Sequence, residues 1–134
     1  MIIVIDTSAL MRLYIPDGPL PEGIEAAMRS AERAEARIIA PELILAEAAQ
    51  VLHKKRTQRI LSSDECIGIL EHLLLLPVQY MPHASLVVRA CTLAHETRLT
   101  VYDALFLALA ERNNARVITA DEALRAAARS MNLI

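Results

Sequence analysis

The chain opens with residues 1–6 (MIIVID), an apolar run that ends in a carboxylate. An uninterrupted run of isoleucine and valine is typical of a strand that is buried on both faces, as in a parallel sheet. A second such run, residues 117–120 (VITA), is followed by Asp121. Ligands of open parallel sheets bind at the carboxyl ends of the strands. The two runs therefore predict a parallel α/β sheet with acidic residues at its binding edge.

The rest of the chain alternates short apolar runs with longer helical periods, which supports the same α/β class. Predicted strands cover residues 2–5, 37–40, 78–81 and 116–119, and Leu133-Ile134 is either the stub of a fifth strand or lies outside the sheet. Predicted helices cover residues 8–14, 22–34, 41–56, 62–76, 84–97, 102–113 and 121–130. Pro41 is expected at the first position of its helix. Ser62 or Ser63, with Glu65 nearby, is the expected cap of the fourth helix.

Length and composition favour one compact domain over residues 1–134. The 134 residues are 54% hydrophobic and 22% charged, and the net charge of −2 carries no overall nucleic-acid signature. No apolar run approaches the ~18 residues of a membrane span, and no basic leader precedes the first strand. We therefore expect a cytoplasmic protein without a membrane segment. Cys66 and Cys91 are expected to be reduced thiols in the core.

Four acids occupy positions where the pattern predicts burial or a ligand. Asp6 and Asp121 follow the two apolar runs, and Asp103 opens an almost wholly apolar helix. Glu47 falls within the apolar stripe of the helix over residues 41–56. Burying a carboxylate is costly unless something neutralises it. Because no Lys or Arg accompanies these acids in sequence, the missing partner is predicted to be a cation.

Each acid taken alone has an ordinary structural explanation. Asp6 and Asp121 suit the N-cap position of a helix, and Asp103 suits a first turn. Glu47 has the alternative of a distant arginine partner. The four together favour a shared site, because Asp6 and Asp121 lie at predicted strand-to-helix junctions and Asp103 opens a predicted helix.

Oxygen ligands without His or Cys select Mg²⁺ or Mn²⁺ rather than zinc. Such an ion suits phosphodiester hydrolysis, since it polarises a phosphoryl oxygen and lowers the pKa of a bound water. No phosphate-binding glycine loop and no Ser-His-Asp order appears in the sequence. A metal-dependent phosphodiesterase is therefore the predicted chemistry.

Four segments, in order, resemble the motifs of the PIN domain family, and within it the VapC-type toxins of toxin–antitoxin pairs. They are residues 3–10 (IVIDTSAL), 40–47 (APELILAE), 99–105 (LTVYDAL) and 117–121 (VITAD). The resemblance implies a three-layer α/β/α sandwich with a central parallel sheet of four to five strands. It also implies an Mg²⁺- or Mn²⁺-dependent endoribonuclease with one or two ions, an RNA substrate, a cognate antitoxin and a homodimer.

Carried onto this chain, the resemblance makes Asp6, Asp103 and Asp121 metal ligands. Glu47 would bind a second ion or position the attacking water. Three hydroxyl residues would orient the acids through hydrogen bonds: Thr7, Ser8 and Thr119. A further acid often found after the fourth motif is not evident, since Glu122 is adjacent but Leu124 and Arg125 follow.

Basic and aromatic residues leave alternatives open. Lys54, Lys55, Arg56 and Arg59 are either a phosphate-contacting rim or a helix end that complements the helix dipole, and the second is favoured slightly. Arg12 either contacts RNA or lies on an exposed helix side.

Tyr14 and Tyr102 are candidates for stacking on bases, although core packing is the favoured role of Tyr102. The helices that start near residues 42 and 84 carry surplus apolar residues, which suits a dimer interface or burial in the core.

Two rival functions are a catalytically weak PIN-fold interaction module and a phosphotransfer domain with Asp6 as nucleophile. The phosphotransfer reading ranks last, because position 8 is Ser and the only lysines are Lys54 and Lys55.

Overall fold

The computed structural model describes residues 1–134, which form four strands, seven α-helices and one short 3₁₀ turn. The strands are β1 (Ile2–Ile5), β2 (Arg37–Pro41), β3 (Val78–Met81) and β4 (Arg116–Ile118). The helices are α1 (Thr7–Arg12), α2 (Ile24–Glu32), α3 (Leu43–Thr57), α4 (Ser63–Leu73), α5 (Val87–Thr97), α6 (Val101–Asn113) and α7 (Glu122–Ser130). The 3₁₀ turn, Ala84–Leu86, precedes α5.

All strand pairs are parallel, and the sheet order is β3-β2-β1-β4. The first strand of the chain, β1, therefore lies inside the sheet, and the last strand, β4, lies next to it at the edge. Their register pairs Ile3 with Arg116 and Ile5 with Ile118. The carboxyl ends of β1 and β4 consequently lie side by side, as the two apolar runs predicted.

Helices cover both faces of the sheet. Successive strand residues point to opposite faces, and Ile3, Val4 and Ile5 are all buried. The central helix is α6, in which seven consecutive residues, 104–110, are buried. The predicted three-layer α/β/α class is therefore confirmed.

Local signals placed several helix starts correctly. Ser62 caps α4, and its side chain accepts from the Glu65 amide while the Glu65 carboxylate accepts from the Ser62 amide. This reciprocal pair satisfies two amides that the first helical turn leaves without partners. Thr100 caps α6 by accepting from the Asp103 amide at 3.1 Å.

One prediction about backbone structure was wrong, and the number of strands, which the sequence left at four to five, is four. Pro41 ends β2 opposite Met81, and the helix begins two residues later at Leu43. Pairing with β3 continues through this point, since the Glu42 amide donates to the Met81 carbonyl at 2.9 Å. Leu133 and Ile134 form no fifth strand, although the Val117 amide donates to the Leu133 carbonyl at 2.7 Å.

Side-chain exposure also departs from expectation. Cys66 is buried as predicted, whereas Cys91 is exposed. Core packing, the favoured role of Tyr102, does not occur: 60% of its surface is exposed, because it lies on the outer side of the first turn of α6. None of the helices combines the length and the apolar character that crossing a membrane demands.

The surplus apolar surface lies on α4 and α5 rather than on α3. Val87 and Val88 of α5 are exposed, as are Leu74 and Leu75 after α4. The large apolar residues of α3 are all at least partly covered. Of the two roles left open for the apolar residues of α3, burial within the protein is therefore the one that the structure supports.

Candidate active site

Asp6 lies between β1 and α1 and is almost completely buried, with 5% of its surface exposed. It is the N-cap of α1, and its Oδ1 accepts from the Ala9 amide at 2.9 Å. The same carboxylate accepts from Ser8 Oγ and, through Oδ2, from Thr119 Oγ1 at 2.7 Å. A carboxylate has about four acceptor positions, and these three donors leave about one of them free for a further partner.

Ser8 and Thr119 join the ends of β1 and β4 through their hydroxyls. Ser8 Oγ accepts from the Ala120 amide at 2.9 Å while it donates to Asp6. Thr119 Oγ1 accepts from the Asp121 amide at 3.0 Å while it donates to Asp6. Two of the three predicted hydroxyls, those of Ser8 and Thr119, therefore contact Asp6 directly and hold the β4–α7 turn against it.

Asp121 is exposed at the N-terminus of α7. It caps the helix, and its Oδ1 accepts from the Leu124 amide at 2.8 Å. Helix capping therefore accounts for one hydrogen bond of Asp6, from the Ala9 amide, and one of Asp121, from the Leu124 amide. Neither cap uses all the oxygen acceptor positions of its carboxylate.

Glu47 and Asp103 form the other half of the site, and both are half-buried. Glu47 lies in the second turn of α3, and its Oε1 accepts from Thr7 Oγ1 at 2.7 Å. Asp103 lies in the first turn of α6. Thr7 is therefore the predicted hydroxyl that orients Glu47, and the distant arginine considered for Glu47 is absent.

The electrostatics link all four acids. Burial raises the pKa of Asp6 to about 6, although hydrogen bonds from Ala9, Thr119 and Ser8 oppose this, and the Asp121 charge raises it further. Burial also raises the pKa of Asp103, with an added contribution from Asp121.

The pKa of Glu47 is raised mainly by burial and additionally by the charge of Asp103. None of the protein's three ion pairs includes any of these carboxylates. The cluster is therefore a set of mutually repelling anions without a protein cation.

The donor set suits a hard divalent ion. No three acidic, His or Cys side chains are arranged as a ready-made ligand group for one ion. Mg²⁺ does not require such a group, because it is commonly held by one or two carboxylates, waters and substrate phosphates. Asp6 with Asp121, and Glu47 with Asp103, supply carboxylates of this kind.

Arg125 is a residue that the sequence reasoning did not select. Its guanidinium donates to the Thr119 carbonyl at 2.6 Å and also pairs with Glu122. It thereby holds the backbone of the residue whose hydroxyl contacts Asp6. Its position one turn after the Asp121 cap is the only sequence signal for this role.

The basic residues that the sequence selected are largely engaged in structural contacts. Lys55 pairs with Asp17 at 3.1 Å, and Arg56 contacts His53 Nδ1 at 2.8 Å. Arg12 is half-buried and packs against the backbone of Gly18, where a Cβ would lie 2.9 Å from its guanidinium.

Comparison with known proteins agrees with this architecture. The PIN domain family profile matches residues 3–130. Ribonuclease VapC3 of Pyrobaculum aerophilum is 32% identical over 126 residues, which cover 92% of each chain. The crystal structure of PAE2754 from Pyrobaculum aerophilum superposes with a TM-score of 0.67 at 23% identity, over 93% of this chain and 83% of that one. The chain therefore belongs to the PIN domain family.

Proposed function

We propose that the protein is an endoribonuclease that depends on Mg²⁺ or Mn²⁺. The observation that carries the proposal is the cluster of four carboxylates at the sheet edge without a protein cation. Similarity to a protein named Ribonuclease VapC3 supports RNA as the substrate. One or two ions would be held by Asp6, Asp103 and Asp121, with Glu47 binding a second ion or positioning water.

The chain's own residues prepare the site for this chemistry. When bound, a divalent ion supplies polarisation of the phosphoryl oxygen and acidification of a water. Ser8 and Thr119 fix the Asp6 carboxylate, so that it does not reorient when its charge is neutralised. Thr7 fixes Glu47 in the same way. Such a reaction requires that the metal-binding carboxylates be held in fixed orientations by neighbouring hydrogen bonds.

The direct test is RNA cleavage by variants that remove one charge without changing shape. Asp103→Asn and Asp6→Asn are each expected to abolish cleavage in Mg²⁺ or Mn²⁺, because each removes a charged oxygen ligand. Asp64→Asn is the matched control, since Asp64 lies exposed in the first turn of α4, away from the four acids. Cleavage of a labelled RNA is measured by gel, with circular dichroism as the check of folding. Full activity of both site variants would refute the proposal.

We further propose that the chain, acting as one domain over residues 1–134, is the toxin of a toxin–antitoxin pair and forms a homodimer. Similarity to a VapC-named protein supports the pair. The exposed Val87 and Val88 of α5 offer apolar surface for a second copy. Sedimentation analysis of the native chain and of Val88→Asp would test the dimer. A monomeric native chain would contradict it.

The rival is an interaction module of the same fold with weak catalysis. The use of Asp6 and Asp121 as helix caps is the observation that favours it. It predicts tight partner binding and no RNA cleavage at any Mg²⁺ or Mn²⁺ concentration. The cleavage assay described above therefore separates the two functions.

A further inference from the structure

An open groove runs along the edge of the sheet beside β4. It has a volume of about 830 Å³ and lies between β4, the start of α2 and α7. β4 pairs only with β1, so its other side is not covered by a strand. The charged residues that line the groove are Glu22, Arg116, Glu122, Arg125 and Arg129.

The three arginines are the distinctive feature of this groove. Arg125 and Arg129 lie four residues apart on α7, a spacing that puts their Cβ atoms about 5–6 Å apart on one helix face. Arg125 neutralises Glu122, whereas Arg116 and Arg129 have no carboxylate partner. The groove therefore presents two cations and one anion, Glu22, that are in no ion pair, and its net charge is positive.

One end of the groove lies beside the acidic site, although none of the four acids lines it. Thr119 lines the groove, and its hydroxyl donates to Asp6 at 2.7 Å. Glu122, next to the site residue Asp121, lines the same end. From Thr119 the groove runs along β4 to Arg116 and also includes Arg129, so a chain that passes the acidic edge would meet it next to Thr119.

The basic cluster at the end of α3 lacks these properties. Two of its members are already engaged, Lys55 with Asp17 and Arg56 with His53. The smaller cavity that Arg56 lines is mostly apolar and, unlike the groove, is not lined by Thr119 or any other residue that hydrogen-bonds to the four acids. Lys54 and Arg59 are exposed on the surface and line neither the groove nor this cavity.

We propose that the groove beside β4 binds the phosphodiester backbone of the RNA that flanks the scissile bond, with Arg116 and Arg129 contacting phosphates. This inference rests on the proposed ribonuclease function. Arginine suits the role because its planar guanidinium pairs with two phosphate oxygens at once. Contacts to phosphates position a strand without reading its sequence.

The test compares two double variants with equal loss of charge. Arg116→Gln with Arg129→Gln alters the groove, and Lys54→Gln with Arg59→Gln alters the α3 end. All four side chains are exposed, so both proteins are expected to fold. Arg125 is left intact because it holds the Thr119 carbonyl. Each pair is built on Asp103→Asn to prevent cleavage, and binding of labelled oligouridine and oligoadenine is followed by anisotropy at several salt concentrations.

The groove variant is expected to lower the slope of log Kd against log salt by about 1.4, because each lost contact to a single strand is worth ~0.7. The change should be equal for both oligonucleotides, and the α3 variant should leave the slope unchanged. An unchanged slope in the groove variant, or a larger change in the α3 variant, would overturn the inference while leaving the ribonuclease proposal intact. Failure of the native chain to cleave RNA would instead refute the underlying function.

Discussion

Asp6 shows how one residue serves the fold and the candidate site together. Its carboxylate caps α1, accepts from Ser8 and Thr119, and is nearly removed from water. The hydrogen bonds favour the charged form, but the burial that opposes them is larger, so the pKa rises to about 6. The carboxylate is thus held in a state that a cation would relieve.

Asp6→Asn is expected to stabilise the metal-free protein at pH 7. Burial raises the pKa of Asp6 from 3.8 to about 6, so the folded state binds this proton more tightly than the unfolded chain does. The stability that Asp6 contributes is therefore full below about pH 3.8 and is lost as the pH rises through 6. The shift sets an upper bound of roughly 3 kcal/mol on the gain from removing the charge.

Urea unfolding in the presence of a chelator measures this effect. The gain of Asp6→Asn over the native chain should be large at pH 7 and close to zero at pH 4. Asp64→Asn serves as the exposed control. A variant that is less stable than the native chain at pH 7 would show that hydrogen bonding, rather than charge burial, dominates at this position.

At the scale of elements, caps and turns decide where each helix starts and which residues face the site. Asp6, Ser62, Thr100 and Asp121 cap four helices through their side chains. Three of those caps, Asp6, Thr100 and Asp121, lie at the acidic edge. Helices α1 and α7 start there because each follows a parallel strand, and α6 also starts there. The helix starts therefore bring both acids and hydroxyls to one edge of the sheet.

Ser62→Ala is expected to destabilise the protein by about 1 kcal/mol without affecting RNA cleavage. Ser62 accepts from the Glu65 amide at 3.0 Å, and the variant leaves that amide without its partner. Ser63→Ala, one residue later in α4, is the matched control because Ser63 makes no capping contact. Thermal unfolding provides the measurement, and equal losses in both variants would argue against the capping role.

At the scale of the whole molecule, strand order assembles the site. The β3-β2-β1-β4 order makes β1 and β4 neighbours although more than a hundred residues separate Asp6 from Thr119 in sequence. Helix α6, which is buried over residues 104–110, carries Asp103 in its first turn to the same edge. The four acids then repel one another, which is a cost that folding without a cation must bear.

Binding of Mn²⁺ is therefore expected to raise the melting temperature of the native chain. Mass action gives a stabilisation of about 2.7 kcal/mol when the free ion is at a hundred times its Kd. Asp6→Asn and Asp103→Asn should lose most of this gain, whereas Asp64→Asn should keep it. Differential scanning fluorimetry with added Mn²⁺, reversed by a chelator, measures the shift. An equal rise in all four proteins would indicate binding elsewhere on the surface.

The strands, most helix ends, a serine cap at position 62 or 63 and the four candidate acids could be predicted from the sequence alone, because these depend on local periodicity and local hydrogen bonds. Only the tertiary structure decided that Pro41 belongs to β2, that Cys91 and Tyr102 face solvent, and that Arg125 holds Thr119. The same structure decided the coupling among the four acids. These features depend on which faces of distant segments meet, and no short stretch of the chain encodes that.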